Sequence, residues 1–276
     1  MSRLTDEQME RYSRQLILPG LGGKSQRRLL DARAVVIGAG GLGSPIIQYL
    51  AAAGVGHLDI IDSDVVELSN LQRQIIHGGS EIGMPKAESA ARFARRLNPD
   101  CEAQAKVLRL DASNATELLR HADIVLEGSD NFPTRFLVND ACYLLRKPLV
   151  SGAILRFEGQ VTVFPNDGGA DSPCYRCLFP EMPPPGAIPT CQEAGVLGSL
   201  AGTIGTLQAT EAIKVLLGIG ESLAGRLLIH DGLAGTFRTI RLHRDPDCAL
   251  CGDHPTIREL RLEAEAGCSR GSNPPP

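Results

Sequence analysis

The sequence predicts an α/β protein built on a doubly wound, mostly parallel sheet that antiparallel strands extend into a mixed one. Three observations carry this. From Ala34 onward, short β-branched runs alternate with amphipathic stretches of helical length, the rhythm of right-handed βαβ crossovers. A glycine-rich loop, "GAGGLG", follows the first run and precedes the first of those helices. After Ser151 the helices drop out and "ILRFEGQVTVF", "RLLIHDG" and "GTFRTIRLH" read as antiparallel strands added to the same sheet.

In chain order, Thr5 to Gln15 predicts a helix, with Thr5 as N-cap and Gln8 as its capping-box partner. "LPGLGG" is a loop. "AVVIG", "LDIID", "AKVLRL", "ADIVLEGSD" and "PLVSGA" are the strands. "SPIIQYLAAAG", "PKAESAARFARRL" and "PTRFLVNDACYLLR" are the helices between them. A Pro-rich segment, residues 165–194, leads to one long helix from about Leu197 to Leu217. The resulting division is an N-terminal helical segment (1–30), a Rossmann-like nucleotide-binding half (31–164), a Pro-rich crossover (165–195), a helix-and-strand region (196–265) and an unfolded tail (266–276).

Composition narrows the function classes. The chain has 276 residues, 43% hydrophobic and 22% charged, as an ordinary globular protein does. A net charge of −4 argues against a general nucleic-acid binder, which needs a basic surface to release counterions. The most apolar run, Gly195 to Gln208, is too short for a bilayer span. The polar, mixed-charge start lacks the apolar core of a secretory signal, so the expected location is the cytoplasm, with no membrane partner.

Gly38, Gly40 and Gly43 fit G-x-G-x-x-G, which aims backbone N–H groups at phosphate. Asp62 ends the second strand where a carboxylate receives ribose hydroxyls. An NAD- or FAD-dependent oxidoreductase would satisfy both features. The next segment, "SDVVELSNLQRQIIHG", discriminates: Asn70, Arg73 and Gln74, followed by Lys86 at a helix start, suit a triphosphate better than a pyrophosphate already served by a helix terminus. Asp130, with Asn131 beside it in "EGSDN", is then the expected divalent-metal ligand at a strand's C-terminal end. A polar surface loop would also account for "SNLQRQ", and a helix N-cap for Asp130.

Eight cysteines in a reducing compartment point to metal or thiol chemistry. Cys174/Cys177 and Cys248/Cys251 are two Cys-x-x-Cys pairs that supply four thiolates to a structural zinc if the fold joins them. A redox role for one pair is the alternative, but neither pair is expected to open a helix after a strand. Cys191 lies near the predicted N-terminus of the long helix, which favours a nucleophilic thiolate; an ordinary loop cysteine fits equally well. Cys101, Cys142 and Cys268 have no comparable context.

Taken together, "RYSRQLILPGLG", "GAGGLGSPIIQYLAAAGVG", "DSDVVELSNLQRQ", "GMPKAESA", "SDNFPTR", "SGAILRFEGQVTVF" and the two cysteine pairs resemble the bacterial E1-like adenylyltransferases of the MoeB/ThiF type. The resemblance implies ATP-dependent adenylation of the C-terminal glycine of a small ubiquitin-like sulfur carrier with a Gly-Gly tail, releasing pyrophosphate. The first candidate carrier is the molybdopterin-synthase small subunit, as a step in molybdenum-cofactor synthesis; a thiamine-pathway carrier is the alternative. It implies nucleotide contacts from Gly38, Gly40, Gly41, Gly43, Asp62, Ser69, Asn70, Leu71, Gln72, Arg73, Gln74, Lys86, Asp130 and Asn131, and Mg²⁺ on Asp130. It implies a homodimer in which Arg14 reaches the other subunit's ATP, structural zinc on Cys174, Cys177, Cys248 and Cys251, and a carrier-linked cysteine matching Cys191 in some members. Glu127 stands where the family usually has aspartate. With no rhodanese domain following the second cysteine pair, a separate sulfur donor is expected.

Overall fold

The computed structural model describes residues 3–169, 171–184 and 194–260. Eight strands form one sheet in the order β3-β2-β1-β4-β5-β6-β7-β8. These are β1 (Arg33–Ile37), β2 (His57–Ile61), β3 (Glu102–Lys106), β4 (Ile124–Glu127), β5 (Leu149–Leu155), β6 (Glu158–Phe164), β7 (Arg226–Asp231) and β8 (Thr236–Arg241). The first five pair in parallel, and β5 to β8 pair antiparallel, so the expected mixed, Rossmann-like sheet is present.

Alternation along the strands sorts side chains onto two faces. Ala34, Val36, Leu58, Ile60, Ile124 and Leu126 enter one core, under α3 (Gly23–Asp31), α4 (Gly43–Ala53), α5 (Lys86–Leu97) and the last helix. Val35, Ile37, Ile61 and Val125 enter the other, under α6 (Ala115–Leu119) and α7 (Phe132–Leu145). α8 (Tyr175–Leu178) is a single turn; α9 (Gly198–Leu217) runs twenty residues and packs against α4, β4, β5 and β6. Among the described residues, no helix is long and apolar enough to cross a membrane.

Two differences from expectation have clear causes. "AKVLRL" is not the third strand. β3 lies earlier because its register with β2 runs from His57↔Glu102 to Ile61↔Lys106, and it ends where β2 ends. Residues 107–110 are thereby freed to turn over the sheet edge, and Leu108 and Leu110 face the cleft described below. The second difference is that the antiparallel section begins inside "PLVSGAIL": β5 is one strand, parallel to β4 on one edge and antiparallel to β6 on the other.

At the N-terminus, α1 (Asp6–Arg11) starts with the expected box: the Thr5 side chain accepts from Gln8 N–H and the Gln8 side chain from Thr5 N–H. Tyr12 breaks the expected helix in two, leaving α2 (Ser13–Leu16). It does so while anchoring the segment. The Tyr12 hydroxyl donates to Asp100 at 2.9 Å and accepts from Asn98 at 2.8 Å, and burial pushes its pKa up to about 12. Gln15 and Gln26 both donate to the Ala53 carbonyl, beside the left-handed cap at Gly54, φ +86°. A Cβ on Gly54 would stand 2.6 Å from Gln26 Nε2 and 2.7 Å from the Tyr12 ring. Gly54→Ala therefore combines a strained φ with a clash, and a loss of about 1–3 kcal/mol is expected in chemical denaturation. An unchanged midpoint would show that Gly54 is not what closes this corner.

Candidate functional site

The parallel strands all end at one edge of the sheet, and the order reverses direction between β1 and β4, where ligands of this architecture bind. A cleft of about 340 Å³ opens there. Gly38, φ +89°, ends β1 and donates its N–H to the Ile61 carbonyl, folding the loop back toward β2. Gly43 lies behind the loop and outside the cleft: a Cβ there would collide with the Gly38 carbonyl oxygen, so its smallness lets the loop close.

Of the residues singled out from sequence, Gly38, Gly40, Gly41, Asp62, Arg73, Gln74, Lys86, Asp130 and Asn131 line this cleft. Asp62 Oδ2 accepts the Ala39 N–H and Oδ1 the Asp64 N–H, both at 2.8 Å, so one carboxylate fixes the glycine loop and the turn after β2 together. Burial pushes its carboxyl pKa up, opposed by those two N–H groups and by the Lys86 charge. Lys86 is 8% exposed, and its Nζ pairs with Asp64 at 2.8 Å. The Arg73 guanidinium donates to the Ser69 carbonyl at 3.1 Å, curling the preceding turn toward the loop. Gln74 is 4% exposed and sits against Gly40, with its Oε1 unpartnered among the described residues.

Ser69, Asn70, Leu71 and Gln72 do not line the cleft. The Asn70 side chain is spent locally, its Oδ1 accepting Glu67 N–H to close the turn Leu68–Asn70. Arg14 is exposed on α2 and is likewise absent from this chain's own cleft. Cys191 lies outside the described residues, as does Cys268. The N-cap of α7 is Asn131, whose Oδ1 accepts Thr134 N–H at 2.9 Å, so the helix start does not use Asp130. Asp130 stands exposed at the cleft and makes no hydrogen bond among the described residues.

Several cleft residues escaped the sequence reading. Arg135, on the first turn of α7, lies five residues after Asp130, and Leu108, Arg109 and Leu110 come from the segment that leaves the sheet. Ile154 arrives from β5 and Val196 from the approach to α9. His77 is hidden under the loop. Its Nε2 contacts the Ala39 carbonyl at 2.9 Å and its Nδ1 the Ser89 hydroxyl at 2.8 Å, while burial lowers its pKa. A neutral ring with Nε2 protonated satisfies both contacts.

The four paired cysteines meet, although about seventy residues separate the pairs. Their sulfurs all lie within 4.8 Å of one another, with Cys174 and Cys248 at 3.6 Å and Cys177 and Cys251 at 3.2 Å. Those spacings are too long for a disulfide, whose S–S bond is about 2.05 Å. They approach the edge of a tetrahedron with Zn–S bonds of about 2.3 Å, roughly 3.8 Å, so the residues present fit a zinc ion. Contrary to expectation, the first pair does open a helix after a strand: Cys174, following β6, is the N-cap of the one-turn α8 that carries Cys177. α7 holds it there, with Asn139 Oδ1 accepting Tyr175 N–H and Asp140 taking Arg176 at 2.8 and 2.6 Å.

The chain matches the model of the ThiF family over residues 12–250. It is 53% identical over 268 residues to the sulfur carrier protein adenylyltransferase of Thermus thermophilus, covering 96% of this chain and 98% of that protein. It is 54% identical over 246 residues to the SAMP-activating enzyme E1 of Haloferax volcanii, covering 89% and 90%. Among solved structures, E. coli MccB with MccA-N7isoASN superposes with a TM-score of 0.77 at 22% identity, over 88% of this chain and 74% of that one. MccB solved with ATP gives 0.73 at 22% identity, over 88% and 73%. The structural likeness speaks for the fold alone. The family match reaches from Tyr12 in the N-terminal anchor to Leu250 in the cysteine cluster and takes in the whole cleft between, so this chain belongs to the ThiF family.

Proposed function

We propose that this protein uses ATP to adenylate the C-terminal glycine of a small ubiquitin-like sulfur carrier ending in Gly-Gly, releasing pyrophosphate. One observation carries the reading: glycine-loop amides, four cations (Arg73, Lys86, Arg109 and Arg135) and three carboxylates (Asp62, Asp64 and Asp130) converge on one cleft, the charge pattern needed to join two anions. The names of the relatives support it, sulfur carrier protein adenylyltransferase in Thermus for the carrier and the adenylyl transfer, and SAMP-activating enzyme E1 in Haloferax for activation.

The chemistry sets the demand. A carboxylate 4 Å from one phosphate charge is repelled by about 4 kcal/mol at an effective dielectric near 20. The nucleotide would lie with its base toward Leu108 and Leu110, its ribose toward Asp62 and its phosphates toward the glycine loop, Arg73 and Lys86. A triphosphate outcompetes the single carboxylate of Asp64 for Lys86, so the 2.8 Å pair is the resting arrangement of a phosphate-binding cation. The carrier's carboxylate oxygen attacks the α-phosphorus, the bond to the β-phosphate oxygen breaks, and Arg73 and Lys86 take up the charge of the departing pyrophosphate. Asp130, with no partner among the described residues, is the ligand for Mg²⁺, which when bound neutralises phosphate charge and polarises the α-phosphate.

Further roles complete the proposal. Ser69, Asn70, Leu71 and Gln72 shape the turn that presents Arg73 and Gln74. Arg14, exposed and away from its own cleft, serves the partner's cleft in a homodimer. Cys174, Cys177, Cys248 and Cys251 hold a structural zinc that locks residues 174–178 to the C-terminal region. The favoured carrier is of the molybdopterin-synthase small-subunit type, acting in the cytoplasm; adenylation assays with that carrier and a thiamine-pathway carrier decide between them.

Carrier-dependent ATP–pyrophosphate exchange tests the reading. Asp130→Ala and Lys86→Ala should each slow it by about 100-fold or more, and wild-type exchange in either variant rejects the role given to that residue. Mixing Arg14→Ala with Lys86→Ala subunits should restore about a quarter of wild-type activity, because half the dimers then carry one intact site. Proven heterodimers without recovery would end the shared-site assignment. Metal analysis should give one zinc per chain, and chelation should lower the melting temperature; metal-free protein that melts as before would exclude the structural role of the zinc.

A further inference from the structure

The turn that carries Asp130 is built around one buried acid. Glu127, the last residue of β4, is 1% exposed. Its Oε1 accepts the Ser129 N–H at 2.6 Å and the Ser129 hydroxyl at 2.5 Å, and its Oε2 accepts the Ser151 hydroxyl at 3.3 Å. Arg135 closes the circuit, with Nε 3.7 Å from Glu127 Oε2 and Nη2 donating to the Ser129 carbonyl at 3.0 Å. Every polar group of Ser129 is thus held, and the next residue is Asp130.

The frame around this circuit is rigid. Gln208 of α9 donates to the Glu127 carbonyl at 2.8 Å and reaches the Val150 carbonyl at 3.4 Å. Gly128 donates its N–H to the Ile37 carbonyl, and a Cβ on Gly38 would stand 3.1 Å from the Gly128 carbonyl oxygen. The Asp130 turn and the glycine loop therefore rest on each other. Burying a carboxylate this deeply is costly unless it is hydrogen-bonded and paired, and here it is both. Burial pushes its pKa up, against the Arg135 charge and the Ser129 and Ser151 donors.

We propose that Glu127 is a positioning residue: braced by Arg135, it fixes Ser129 and so sets the direction in which Asp130 enters the cleft. This rests on the reading of Asp130 as the ligand of a divalent cation. It also gives the departure from the usual aspartate a physical sense, since the extra methylene lets one oxygen span both the N–H and the hydroxyl of Ser129 while the other faces Ser151 and Arg135. Outer groups that orient a metal ligand are worth about 10- to 100-fold in metal affinity.

Three variants and two readouts test it. Glu127→Gln swaps one acceptor for an N–H₂ that opposes a donor, and Ser129→Ala removes the hydroxyl contact alone. The first should raise the Mg²⁺ concentration for half-maximal ATP–pyrophosphate exchange by about tenfold and the second by about threefold, with half-saturation by the carrier unchanged. Amide hydrogen exchange of the nucleotide-free protein should speed up at position 129, whose N–H the Glu127 carboxylate accepts, in both variants, while the β1 and β4 amides stay protected. Glu127→Asp, which keeps the charge but shortens the reach to Ser129, should give a Mg²⁺ response between those of the wild type and Glu127→Gln. If Glu127→Gln fails to fold, Ser129→Ala still decides. Wild-type Mg²⁺ dependence in every folded variant, or a fall in maximal rate with no change in that dependence, overturns the proposal. If the wild-type protein shows no Mg²⁺-dependent exchange at all, the functional reading fails instead, and unchanged protection at position 129 in the variants would separately overturn the hold of Glu127 on this turn.

Discussion

Five parallel strands pointing one way are the constraint on which the site depends. Each ends at the same edge, so segments far apart in the chain are delivered to one line: the glycine loop from β1, Asp62 from β2, Leu108 and Leu110 from β3, and Asp130 from β4. Adjacent parallel strands sit about 4.8 Å apart, and a nucleotide lying across the strand ends meets one group from each. No single loop could supply that set. The reversal of order between β1 and β4 leaves a gap in helix coverage above those two strands, and the cleft is that gap.

Polar groups near the cleft are tied to backbone before any ligand arrives. Asp62 takes two main-chain N–H groups, His77 meets the Ala39 carbonyl, and Arg73 holds the Ser69 carbonyl. Preorganisation of this kind lowers the reorganisation needed when charge develops, which is where electrostatic catalysis gains most. It also divides labour. His77 and Glu127, buried, shape the turns, while Lys86, Arg73 and Asp130 keep atoms facing the cleft.

What the sequence made legible follows from how local each signal is. The Thr5–Gln8 box, the glycine loop and the long helix ending at Leu217 are written within a few residues, and the structure has them where expected. Asp62 and Lys86 were readable because their distance from a strand or helix start is set by short-range geometry. The two cysteine pairs read as zinc ligands from their Cys-x-x-Cys form, but nothing local joins residues seventy apart, so their meeting depended on the fold. Arg135, Ile154 and Val196 could not be found that way, because each reaches the cleft from an element whose orientation tertiary packing decides. The third strand was misplaced for a related reason: "AKVLRL" alternates well, but the register with β2 ended the strand at Lys106.

The N–H of Arg33 is capped by the carboxylate of Asp123, ninety residues later, and β1 borders β4 along its length. Central position in the sheet thus comes with a late-arriving neighbour. On a ribosome adding about 5–20 residues per second, β1 and β2 wait roughly 5–20 seconds with an apolar edge unfilled. During that interval the unfilled side of β1 is an edge with unpaired backbone groups, the feature that favours non-native strand pairing, and β4 removes it only when it docks.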